Sequence, residues 1–203
     1  EKVSDIFTRL AAEIKIPIHG HFHNDFGLAT ANALQAIQSG ASCVDVTVNG
    51  LGERCGISSL AEVVTALDEL FNVKNSWNFK ILNDISSYVG KISNITDNDT
   101  RPITGKNAFT HNAGLHVSSV IKDGALYEPV NPKKFNRKRH HYIDKFSGKD
   151  ALSYRLKRLN IDLTEKELCE LLFTIKSKPE IKKWSDEKLV SLYHQFYKTQ
   201  ISR

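Results

Sequence analysis

At the start of the chain, Val3, Ile6, Phe7, Leu10, Ala11 and Ile14 recur at helical spacing, which predicts one amphipathic helix ending before Pro17. A short strand, Ile16 to Phe22, follows. Helical periodicity returns from Leu28 to Gln38, and Gly40 stands where helices commonly stop. "SCVDVTV", Ser42 to Val48, alternates and is rich in β-branched residues, so it reads as a second strand. After the glycine-studded "NGLGERCG", Ser59 and Glu62 have the spacing of a capping box opening a helix to about Phe71.

Helix and strand alternating through short connections is the signature of a parallel sheet, doubly wound or closed into a barrel, and two strands complete neither. From about Asn72 the alternation fades. A helix is expected around Ile81 to Ile92, then irregular chain to about Lys149. Three more helices follow: Ala151 to Leu159, Thr164 to Lys176 behind a second capping box (Thr164, Glu167), and Ser185 to Tyr197. The last third is therefore a small, mostly helical subdomain.

Composition narrows this only a little. With 203 residues, 40% of them hydrophobic, the chain suits one large domain or a domain with an appendage. No apolar run reaches the roughly 18 residues of a membrane span, and no signal sequence opens the chain, so a soluble, cytoplasmic protein is expected. Cys43, Cys55 and Cys169 are odd in number and widely spaced, which indicates neither a disulfide framework nor a zinc ribbon. The formal charge of +5 concentrates after Pro132, in "KKFNRKRHH" and beyond. That suits a phosphorylated cofactor or a polyanion, although a solvated basic face is the commoner meaning. There is no methionine, even at position 1, and the chain is expected to be a processed or truncated piece of something longer.

The candidate chemistry begins in "IPIHGHFHNDFGLATANAL". Side chains two apart on a strand share a face, so His21 and His23 point the same way at a strand end, where a pair of imidazoles can hold a metal. His19 has the same parity but lies one pleat deeper, and is expected in the core or behind the ligands. The bland alternative is that these histidines simply pack. The second strand delivers "NGLGER" to the corresponding end, where the loops of an α/β barrel build active sites. There Asn49 offers an oxygen ligand, and Glu53 and Arg54 offer either catalytic charge or a mere pair with each other. Asn24, Asp25 and Arg54 are the candidate substrate-binding residues.

Three stretches, "HGHFHNDFGLATANALQAIQSGA", "VDVTVNGLGERCGISSLAEVV" and "GKNAFTHNAGLHVSSVIKDGALYEPVNP", resemble in order the metal-dependent Claisen-condensing enzymes that include the homocitrate, 2-isopropylmalate and citramalate synthases. The resemblance implies an α/β fold. Residues 1–110 would be the C-terminal part of a TIM (β/α)8 barrel, 111–150 a linker or lid reaching the partner's active site, and 151–203 a helical subdomain. It implies acetyl-CoA as co-substrate, a 2-oxo acid as acceptor, a divalent metal (zinc, manganese, cobalt or magnesium) and a homodimer. His21 and His23 match the family's metal-binding histidines, and Asn49 a position that approaches the metal. His116 and Tyr127 match a catalytic histidine and tyrosine lent to the partner subunit, with Glu53 as a further catalytic candidate; His111 is expected to make a structural hydrogen bond.

The family's remaining metal carboxylate and its oxo-acid arginine come from the first barrel strand, outside these residues, so the chain alone is expected to be catalytically incompetent. "YIDKFSGKDALSYRLKRLNIDLTEKEL" and "GERCGIS" are more similar to the homocitrate synthases, which use 2-oxoglutarate, whereas Asn49 is the isopropylmalate-type residue. Two readings of other classes stand beside this one. The basic segment Lys133 to His141, with Phe135 and Tyr142, suits nucleic-acid phosphates and bases. Alternatively, the chain is a structural or dimerisation module.

Overall fold

The computed structural model describes residues 2–95, 98–111, 128–178 and 183–201. The chain divides into two units, Glu1–Ala108 with Lys133–Asn136, and Phe109–Pro132 with Arg137–Arg203.

In the first unit, α1 (Lys2–Glu13) packs on α2 (Ala29–Gln38), α2 packs on α3 (Leu60–Glu69), and α4 (Leu82–Ser93) follows a 3-10 turn at Phe79–Ile81. Two short strands, β1 (His19–Gly20) and β2 (Cys43–Val44), run parallel, with His19 opposite Cys43 and Gly20 opposite Val44. The α/β class is as expected, but both strands are far shorter than their alternating patterns suggest. Past Gly20 and Val44 the chain pairs instead with the segment before α3, through bridges from His23 to Ile57 and from Thr47 to Ser59. The loop thereby ties the two strand ends together.

One face of this ladder is covered. Phe22, Val44 and Val46 pack with Ala33, Val63 and Leu67 from α2 and α3. The helices stop where small residues allow it: Gly40 has φ +108°, and a Cβ there would stand 2.5 Å from that of Ala11 on α1. On the other face His19, His21, Cys43 and Asp45 are exposed. Of the two placements expected for His19, the one in the core is corrected: its parity turns it away from the helices, toward the uncovered face, and it is exposed.

The capping box expected at Ser59 and Glu62 does not form either. Glu62 reaches across to α2, where its carboxylate accepts from Thr30 Oγ1 at 2.8 Å, and Ser59 Oγ stays buried with no hydrogen-bond partner among the described residues. Helix α3 still begins at Leu60. At Thr164 the box does form, with the hydroxyl accepting from the Glu167 amide and the Glu167 carboxylate accepting from the Thr164 amide at 2.8 Å.

The second unit holds β3 (Thr110–His111) parallel to β4 (His140–His141), a ladder the sequence pattern does not announce. Three helices follow: α5 (Lys149–Arg158), α6 (Glu165–Lys176) and α7 (Asp186–Ile201). They close around Ile143, Leu152, Leu156, Leu171, Ile175 and Leu189, each at most 1% exposed. Among the described residues, no helix is long and apolar enough to cross a membrane.

Candidate metal and substrate site

At the end of β1 the backbone amide of Asp45 donates to the Gly20 carbonyl at 2.9 Å, which sets the Asp45 side chain beside His21 on the uncovered face. His21 Nδ1 lies 2.9 Å from Asp45 Oδ2. A carboxylate there favours the proton on Nδ1, leaving the Nε2 lone pair for another partner. The His23 ring is 5.1 Å from that of His21, edge to face. Its Nδ1 is buried without a hydrogen-bond partner among the described residues, and an orphaned nitrogen of that kind calls for an explanation. An unpaired imidazole nitrogen beside a histidine oriented by a carboxylate is a donor set that suits a divalent transition metal. Among the described residues, no group of three or more His, Cys, Asp and Glu side chains is arranged to hold a metal.

Asp45 was not singled out from the sequence, though a signal was there. It is the lone acid in "VDVTV", at the parity opposite to the packed Val44 and Val46.

The neighbouring loop is tied at both ends by hydrogen bonds. Asn24 donates its backbone amide to the Gly56 carbonyl at 2.9 Å, and its side-chain oxygen accepts the Ala29 amide at 3.1 Å at the entry to α2. Gly56 has φ +83°, and a Cβ there would fall 2.0 Å from the Gly50 carbonyl oxygen, so only glycine fits this crossing. Arg54, itself at φ 56°, forks onto Asp25, Nε to Oδ1 at 2.9 Å and one terminal nitrogen to Oδ2 at 3.1 Å. The guanidinium holds the Asp25 carboxyl below its ordinary value, and the carboxylate raises Arg54 in return. Glu53, by contrast, stands 3.8 Å from Arg54 with its side chain 86% exposed. The expected pair of Glu53 and Arg54 is therefore present, as a long and exposed contact, while the bidentate fork of Arg54 goes to Asp25.

Asn49 is turned elsewhere. It is buried at φ 59°, its amide donates to the Ser86 carbonyl at 2.9 Å, and its oxygen accepts Ser86 Oγ at 2.6 Å. The structure thus brings His21 and His23 together, Asp25 and Arg54 together, and ties Asn49 to α4. His116 and Tyr127 lie outside the described residues.

In the second unit His111 makes the structural contact expected of it, with Nε2 3.0 Å from Oε1 of buried Glu128, whose other oxygen accepts Arg139 Nε at 2.7 Å. Other cations of the basic segment are occupied too. Lys134 bonds Asp68 and Glu69 in the first unit, and Arg137 lies over the Phe109 ring, its burial lowering the guanidinium from its ordinary value. A nucleic acid would have to displace these partners, which counts against that reading.

Residues 1–89 match the family model described as HMGL-like, and residues 103–183 match the one described as homocitrate synthase post-HMGL domain-like. A homocitrate synthase of Pyrococcus horikoshii is 47% identical over 83% of this chain and 46% of its own length. One of Sulfurisphaera tokodaii is 40% identical over 94% of this chain and 42% of its own, and an (R)-citramalate synthase of Methanocaldococcus jannaschii is 34% identical over 96% and 40%. The chain spans less than half the length of each of these relatives.

Proposed function

The chain belongs to the HMGL-like family that carries a homocitrate synthase post-HMGL domain, and from that premise we propose that it forms part of an acyltransferase condensing acetyl-CoA with a 2-oxo acid. The oxo acid is 2-oxoglutarate and the product homocitrate, a step of lysine formation by the aminoadipate route. The observation that carries the reading is the His21 and His23 pair, with its orphaned nitrogen and its orienting carboxylate, on the uncovered face of a parallel ladder. Two synthases of this name, at 40% and 47% identity, favour 2-oxoglutarate. The citramalate synthase at 34% favours pyruvate less, and an isopropylmalate synthase, using 2-oxoisovalerate, is the remaining alternative.

A divalent cation, when bound, polarises the oxo-acid carbonyl as a Lewis acid. His21 and His23 would hold it. Asp45, 2.9 Å from His21 Nδ1, favours the tautomer protonated there, which would leave Nε2 free to hold the cation. Asn24 and Gly56 fix the loop that carries Asp25 and Arg54, whose fork presents a guanidinium to a substrate carboxylate. In the reaction a proton leaves the acetyl methyl, the resulting carbon attacks the oxo carbonyl, and water cleaves the thioester to release the CoA thiol. His116, with Tyr127, carries the proton transfers, as the family resemblance implies, and Glu53 stands at the loop as a further acid or base. The cation is zinc, manganese, cobalt or magnesium; the protein works as a homodimer, in the cytoplasm, where its three unpaired cysteines stay reduced.

Thiol release from acetyl-CoA tests the reading. It is assayed with a divalent metal and 2-oxoglutarate, 2-oxoisovalerate or pyruvate in parallel, on this chain and on any longer polypeptide containing it. Release with 2-oxoglutarate alone from the longer polypeptide, and none from the chain by itself, is the expected pattern. Release with another oxo acid reassigns the substrate, and a longer polypeptide inert with all three overturns the activity.

A further inference from the structure

One carboxylate of the second unit is buried away from the helical core and bonded through both oxygens. The Glu128 side chain is 4% exposed; its Oε1 lies 3.0 Å from His111 Nε2, and its Oε2 accepts from Arg139 Nε at 2.7 Å. A carboxylate only accepts, so His111 donates from Nε2. The three residues come from three separate stretches of chain. His111 ends β3, Arg139 immediately precedes β4, and Glu128 stands 17 residues after the one and 11 before the other. The ladder they adjoin is two residues long on each strand, and among the described residues the apolar cluster around α5, α6 and α7 includes none of it. Glu128 therefore gathers by hydrogen bonds a region that the helical core does not reach.

Stability alone is a poor reason for such an arrangement. Taking a carboxylate and a guanidinium out of water costs about as much as their attraction returns, and well-packed apolar side chains hold a fold at least as well. What a doubly bonded carboxylate adds is direction, because each oxygen fixes one partner at a set distance and angle. The position so fixed adjoins the proposed chemistry. Glu128 directly follows Tyr127, and His111 lies five residues before His116. The contact between His111 and Glu128 thus ties the chain together on either side of the two residues to which the acyl-transfer reading gives the proton transfers. A misplacement of about 1 Å in a reacting group can cost roughly a hundredfold in rate.

We propose that Glu128 is a positioning residue for the condensation: by joining His111 to Arg139 it sets both ends of the segment that carries His116 and Tyr127. The inference rests on the acyl-transfer reading and adds to it a residue that touches neither substrate nor metal. Its signature is a division between turnover and binding, since that reading places the metal and oxo-acid contacts on residues 21–54.

Steady-state thiol release by the longer polypeptide tests this, with Glu128→Gln, His111→Ala and His111→Gln beside the parent and every rate referred to folded protein. Glu128→Gln removes the charge at nearly constant volume and should lower kcat by about 10- to 100-fold, with KM for the oxo acid and the metal affinity within about twofold of the parent. His111→Ala should behave alike. In His111→Gln the side-chain amide can still donate to Glu128, and most of the loss should be recovered. Should Glu128→Gln fail to fold, the two His111 variants carry the same comparison. A carboxylate that only stabilises the unit would leave kcat per folded molecule at the parent's value. That result, a loss shared equally by oxo-acid binding, or a His111→Gln as slow as His111→Ala would each overturn the proposal while the acyl-transfer reading stands. A parent inert with every oxo acid instead removes that reading, and the positioning role with it.

Discussion

The ladder of the first unit and the helical cluster of the second solve opposite problems with similar residues. Around Leu171 the helices α5, α6 and α7 bring apolar side chains together from every side, and Ile143, Leu152, Ile175 and Leu189 are fully buried. Around Val44 the apolar side chains come from one side only, and the other face presents His19, His21, Cys43 and Asp45. Parallel sheets ordinarily have both faces covered, whereas this two-stranded ladder, in a chain spanning less than half the length of its relatives, has one face packed and one lined with imidazole and carboxylate. Core residues of the second unit should therefore govern stability, and polar residues of the ladder should govern binding, with little exchange between the two.

The largest effect that tests this division is a cavity. Leu171→Ala should cost about 3 kcal/mol in urea unfolding, as deletion of a fully buried leucine does. His21→Ala, at a side chain 51% exposed, should leave the same curve within about 0.5 kcal/mol. Equal losses at the two positions would show that the ladder is as tightly packed as the helical core.

Metal affinity should show the reverse sensitivity. With manganese or zinc titrated calorimetrically, His21→Ala or His23→Ala should weaken binding by at least about tenfold. Asp45→Asn should weaken it by about 10- to 100-fold, since it loosens the imidazole without removing it. Leu171→Ala should leave the affinity of the folded fraction unchanged. If Asp45→Asn binds as tightly as the parent, its contact with His21 is a surface pairing only.

What could be read in advance follows the range of the forces involved. Helix extents came through well, because amphipathic spacing is a local signal; α1, α2, α4, α5, α6 and α7 all fall close to their periodic patterns. The facing of His21 and His23 was equally local, set by strand parity. Contacts across the chain were not legible. Nothing near Arg54 says that its fork closes on Asp25, 29 residues earlier, or that Asn49 turns to Ser86, 37 residues on. Strand length failed for the same reason, since a third segment, around Ile57, took over the pairing.

The two capping motifs make that lesson measurable on a smaller scale. Both have the same spacing, yet only Thr164 caps, because Glu62 is drawn away to Thr30. Thr164→Ala should cost about 1 kcal/mol, whereas Ser59→Ala removes a buried, unpaired hydroxyl and should be neutral or slightly stabilising. A matching loss at both would mean that Ser59 caps α3 in solution.

The smallest effect concerns the exposed pair at the site's edge. Arg54 holds the Asp25 carboxyl below its ordinary value, chiefly through the hydrogen bonds of its fork. A carboxyl depressed on folding stabilises fully above its unfolded value and loses that contribution as pH falls through the lowered one, so the effect is confined to acid below pH 4. Carbon-detected titration of Asp25 should give a midpoint that Arg54→Gln moves back up toward the ordinary range; a midpoint indifferent to that substitution would mean that the fork does not persist in solution. The same resonance reports on the proposed substrate role, because an oxo-acid carboxylate that takes Arg54 must release Asp25. Saturating 2-oxoglutarate with metal should then raise the midpoint as Arg54→Gln does, and an unmoved midpoint would remove Arg54 from the substrate contacts while leaving His21 and His23 in place.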